Sequence, residues 1–172
     1  MTRTDRSPAR LSGVASCVAA GCAAIASGLY SWYALAAGGV GLALLVSGVA
    51  RGTRSSVSLG AAALVAGAIV AGVQGAAAGA VLVSVVAAVL AWDAGTTAIS
   101  IGEQLGRKAP TRRIELVHLA ASAAVGALTI GAGYLLYEIA TDGQPLSALV
   151  LLIVATVLLL TAILRDDAAS RG

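Results

Sequence analysis

The strongest constraint in this chain is a run without charge. Leu11 to Ala50, forty residues, contains no Asp, Glu, Lys, Arg or His. A bilayer core takes about 20 helical residues to cross, so forty read as two spans joined by a tight turn. Tyr30-Ser31-Trp32-Tyr33 marks that turn, because such aromatic rings settle at headgroup level. Val57 to Trp92, thirty-six residues, repeats the arrangement with Gln74-Gly75 as its polar break. A soluble fold is excluded by the missing polar surface. Charged residues make up 11% of the chain, against about 25% in soluble domains.

The expected architecture is all-α, a polytopic transmembrane helix bundle of six spans arranged as three hairpins. The spans are predicted at about 11–29, 33–50, 57–73, 76–92, 116–137 and 146–164, inside a single transmembrane domain over 11–165. A basic tail, 1–10, precedes it and a polar tail, 166–172, follows. With six spans all eleven Lys and Arg fall on one side, and the other side receives Glu138 and Asp142. The positive-inside rule then makes both termini cytoplasmic, and the expected location is the cell membrane, multi-pass.

Small residues dominate the first four spans. Ala63, Gly67, Ala71, Gly75 and Gly79 recur every four residues, with the last two able to cross the turn. Such spacing lets helix backbones approach closely, and it fits either packing within one bundle or a homo-oligomer face. Cys17 and Cys22 lie five apart, about 140° around a helix, so they cannot pair. Cys22 follows Ala19-Ala20-Gly21 as in a lipobox, but the apolar run before it is short, and small packing cysteines are the simpler reading.

Chemistry concentrates between Trp92 and His118, which hold eight of the twenty ionisable side chains. Placed on one helix continuing the fourth span, Asp93, Thr96, Thr97, Ser100, Glu103, Gln104 and Arg107 form a single polar face. Glu115 and His118 share a face at the start of the fifth span. The candidate cluster is therefore Asp93, Glu103, Arg107, Arg112, Arg113, Glu115 and His118. It supports three readings. The carboxylates can pair with Arg107, Arg112, Arg113 or His118 and pin the helix ends. Glu115-Leu116-Val117-His118 has the Glu-x-x-His spacing of helical di-metal sites, although those sites carry two such motifs. Ionisable groups near a membrane can also line an ion or proton path. No charge is expected at the midplane, which weakens that path, and no nucleotide motif or catalytic triad appears. The basic loop can also rest on anionic headgroups, at roughly 1 kcal/mol per basic residue.

The run LGRKAPTRRIELVHLAASAAVGAL, followed by GYLLYEIATDGQPLSALVLL, resembles a haloarchaeal family of small multi-pass membrane proteins classed as a domain of unknown function. The likeness covers about 92–165. Its distinctive residues are Gly102, Glu103 and Gly106, then Arg113, Glu115, Leu116 and His118. The resemblance implies a membrane location and an archaeal source. It further implies a gene encoded beside a MoxR-type ATPase and other membrane proteins, and with that an assembly or scaffold role.

The expectation is thus a non-enzymatic scaffold or subunit of a membrane complex with a basic cytoplasmic face. The alternative is a small transporter or channel using the polar cluster. No catalytic residue, cofactor or metal is expected. The partners are the lipid bilayer and an unidentified membrane or cytoplasmic protein, with no nucleic acid, since a net charge of +3 is small and confined to the loops.

Overall fold

The computed structural model describes residues 9–105 and 112–139. Among them the chain folds into five α-helices: α1 (Arg10–Gly28), α2 (Trp32–Arg51), α3 (Arg54–Val73), α4 (Ala78–Leu105) and α5 (Arg112–Ile139). All five are long and apolar enough to cross a membrane. The span expected at 146–164, residues 1–8 of the first tail, the whole of the second and Arg107 lie outside the described residues, and so do six spans and cytoplasmic termini as a complete topology. Met1–Tyr134 and Leu135–Gly172 are separate compact units, and the packing described below belongs to the first.

Each of the three described connections has a local cause. Ser31 caps α2, its hydroxyl accepting from the backbone N–H of Tyr33 at 3.1 Å and of Ala34 at 3.3 Å. Gly52 ends α2 with φ 68°. The Thr53 N–H there reaches the Gly48 carbonyl, and the Gly52 N–H reaches that of Val49. Gly75 repeats the device after α3 with φ 87°, with bonds from Ala76 to Ala71 and from Gly75 to Gly72. Both glycines occupy the left-handed position that closes a helix and satisfies its last carbonyls. The break expected at Gln74-Gly75 is therefore a glycine cap first and a polar turn second.

Inside the bundle, α2 lies along α3 and α1 along α4. Backbones touch where glycines face each other. A Cβ on Gly60 would stand 2.6 Å from the Leu45 nitrogen and 2.7 Å from the Gly41 oxygen, and one on Gly48 would stand 2.7 Å from the Val57 nitrogen. The seam therefore sets Gly41 of α2 against Gly60 and Leu64 of α3, Gly48 of α2 against Ser56 and Val57, and Gly67 of α3 against Ala34 and Gly38. From the stripe read in the sequence, Gly67 and Ala71 are buried, Gly75 sits in the turn and Gly79 faces Tyr134 of α5.

The core is made of Ala, Ser and Gly with Leu45, Val57, Leu64 and Ile99. The bulkier side chains Val14, Val18, Ile25, Leu59 and Ile69 point outward. In water such a surface would aggregate. Toward lipid it costs nothing, and close approach of small residues supplies the cohesion.

Candidate functional site

α4 runs on to Leu105, roughly three and a half turns past the span expected at 76–92. Its 28 residues measure about 42 Å at 1.5 Å each, longer than a hydrocarbon core of about 30 Å. The polar face expected on this extension exists, but it serves two neighbours rather than one.

The first half of the face meets α5. Asp93 Oδ2 accepts a hydrogen bond from His118 Nε2 at 2.9 Å and from the Ser122 hydroxyl at 2.7 Å. Thr97 Oγ1 lies 3.3 Å from the same Nε2. An ionised carboxylate only accepts, so the Nε2 facing Asp93 carries the hydrogen. The contact becomes a full ion pair when the ring is protonated. Asp93 and Thr97 are one helical turn apart, as are His118 and Ser122, so each helix presents two polar groups at i, i+4. Ser122 was missed in the sequence, although that spacing from His118 was its signal. Both ionic side chains are partly covered, at 31% exposure for Asp93 and 38% for His118.

The second half meets α3. Arg54 Nη2 donates to Glu103 Oε2 at 2.7 Å and to the Ser100 hydroxyl at 3.1 Å. Nothing local in sequence couples residues forty-nine apart, so Arg54 could not be paired with Glu103 from the chain alone. The pair is about half exposed on both sides, and an ion pair so open to water contributes at most about 1 kcal/mol.

Glu115 turns elsewhere. Its side chain reaches α1, where Oε2 accepts from the Ser12 N–H and the Ser12 hydroxyl, both at 2.9 Å. Glu115 is 4% exposed and Ser12 fully buried. The carboxylate takes the place of a cap on α1, whose own N-cap residue, Ala9, offers no side-chain acceptor. A negative charge here also meets the positive end of the helix dipole. The Ala9 N–H, bonded to the Ala98 carbonyl at 2.9 Å, ties the same end of α1 to α4.

The named residues therefore separate into three contacts. Asp93 joins His118, Glu103 joins Arg54, and Glu115 joins Ser12. Glu115 and His118, three apart, lead to different helices. Arg112 and Arg113 are exposed at the start of α5, and Arg107 is outside the described residues. Among the described residues no three His, Cys, Asp or Glu side chains gather as metal ligands.

Deeper in the bundle the polar atoms are engaged with backbone. The Ser16 hydroxyl of α1 donates to the Ala91 carbonyl of α4, and the Ser84 hydroxyl of α4 donates at 2.9 Å to the Ala23 carbonyl of α1. Gly95 makes room for the first of these, since a Cβ there would stand 2.9 Å from Ser16 Oγ. Such exchanges act as interhelical glue of about 0.6 kcal/mol apiece. Cys17 and Cys22 are both free thiols.

A family model described as a family of unknown function, DUF7519, matches residues 6–160. None of the curated proteins and none of the solved structures matches the chain.

Proposed function

We propose that this chain, which belongs to the family of unknown function DUF7519, is a multi-pass membrane protein that serves as a non-enzymatic scaffold subunit. The observation that carries the reading is the close packing among α1–α4. Glycine seams bring backbones into contact, and Ser16, Ser27 and Ser84 each donate to a carbonyl. A path for ions or polar solutes needs polar groups free to face it, and these are held by the helices themselves. The ionisable groups follow the same logic, since Asp93, Glu103 and Glu115 each fasten one helix to another. What the fold offers a partner is the end carrying Arg51, Arg54, Arg112 and Arg113. The positive-inside rule makes that end cytoplasmic, and the resemblance to haloarchaeal membrane proteins supports the same placement in a cell membrane. A reporter fused after Lys108 should read as cytoplasmic and one after Gln74 as external; the reverse pattern sinks the orientation.

A transporter is the second reading, favoured by one observation, the partly covered Asp93–His118 pair on two membrane-length helices. Flux separates the two. Vesicles reconstituted with the protein should leak protons and small ions no faster than empty ones, and Asp93→Asn should leave that unchanged. Flux above the empty control that Asp93→Asn abolishes overturns the scaffold and establishes the transporter.

A further inference from the structure

A groove of about 1110 Å³ runs between α1, α4 and α5, and we propose that it holds an anionic phospholipid. One acyl chain would lie along the floor, with the phosphate at Arg10 and Arg112. The walls are apolar: Val14 and Val18 from α1, Leu90 from α4, Leu116 and Leu119 from α5. Val14 and Val18 are among the most exposed apolar side chains of α1, at 64% and 61%. The polar side chains gather at one end, where Arg10, Arg112 and Glu115 line the mouth, and the lining runs to Cys22 and Ala87 at the other.

The dimensions select the occupant. From Arg10 to Cys22 the wall of α1 extends about 18 Å at 1.5 Å per residue. Half of a hydrocarbon core of about 30 Å is about 15 Å, so the groove is as deep as one leaflet. A transmembrane helix from a partner or a second copy would need a surface about twice that length. A lipid chain entering from one headgroup layer fits it.

Charge selects the headgroup. Arg10 and Arg112 are exposed at the mouth, and their guanidinium groups can rise along the wall to phosphate level while their stems cover apolar surface. Each begins a helix, and the positive end of α5 adds to their field, while that of α1 is met by Glu115. Glu115 opposes them, but its carboxylate is turned inward onto the Ser12 N–H and hydroxyl. Among the described residues two cations outweigh one such carboxylate, and the mouth stays attractive to an anion.

The full chain in detergent, titrated with phosphatidylglycerol, phosphatidylcholine and glycerol phosphate and followed by native mass spectrometry, tests the site. Phosphatidylglycerol should bind well above phosphatidylcholine. Arg10→Gln and Arg112→Gln should each weaken it about fivefold, which corresponds to roughly 1 kcal/mol per basic group near an anionic headgroup. Val18→Trp, filling the groove, should weaken both lipids. In a Cys17→Ser background, alkylation of Cys22 should slow when phosphatidylglycerol is added and not when glycerol phosphate is. Equal retention of the two lipids overturns the proposal, as does glycerol phosphate competing as well as the lipid. Unchanged binding by Val18→Trp would mean loose headgroup attraction at the protein's edge and overturns it too. A dimer that forms only without lipid, or a Cys22 already shielded in delipidated protein, would show that protein fills the groove.

Discussion

Gly60→Ala should loosen the bundle although alanine is the better helix former. The added methyl would stand 2.6 Å from the Leu45 nitrogen, 2.7 Å from the Gly41 oxygen and 2.9 Å from the Leu45 Cβ. Ordinary contact begins near 3.4 Å, so α2 must retreat by about 0.8 Å, and the two nearest neighbours are backbone that cannot swing aside. A gap of that size forfeits a quarter to a half of each dispersion contact along the seam. Overpacking of this kind costs about 1–3 kcal/mol, while replacing a helical glycine by alanine returns about 1 kcal/mol. The net expectation is a loss of about 0–2 kcal/mol, centred near 1 and so about fivefold in the unfolding equilibrium. Gly39→Ala is the matched control, because it lies on α2 with nothing within 4 Å of the place its methyl would take, and it should gain rather than lose. Reversible unfolding in mixed micelles, followed by helix circular dichroism, measures both. If Gly60→Ala is as stable as Gly39→Ala, the backbone contact between α2 and α3 is not what holds them together.

The same assay reads two further changes. Glu115→Ala should cost about 1–3 kcal/mol, the penalty for leaving the buried Ser12 N–H and hydroxyl without this acceptor. Adding Ser12→Ala should then cost less than its effect alone, and strict additivity would show that the two residues do not act together. Gly75→Ala should lose about 1–2 kcal/mol, because φ 87° suits no side chain. Gly131→Ala, in a helical position with nothing within 4 Å, should not; a neutral Gly75→Ala would mean the turn relaxes to another form.

Much of the helical layout was legible because it depends on local quantities. Uncharged runs of span length predict helices whose bounds differ from those observed by a few residues, except where α4 continues along its polar face to Leu105. Turns at Tyr30–Tyr33 and Gln74–Gly75 were visible as aromatic and polar interruptions. The sites were legible only in part. Asp93 and His118 stood out as ionisable groups bordering apolar runs, and their contact is observed. The partners Arg54, Ser12 and Ser122 did not stand out, since nothing in their own neighbourhoods marks Arg54 for Glu103 or Ser12 for Glu115.

The chain's composition and the spacing of its charges decide that it forms long apolar helices with basic connections, because the cost of placing charge in lipid acts residue by residue. Which glycines touch, which serine meets which carbonyl, and that one polar face divides between α3 and α5 are decided by the tertiary structure. Those outcomes follow from how far each helix rotates and slides when small residues pack, and rotation is not encoded in any single segment. The groove between α1, α4 and α5 belongs to the same class. Its leaflet depth and its paired arginines arise only when two helix starts, a hundred residues apart in the chain, come to the same end of the bundle.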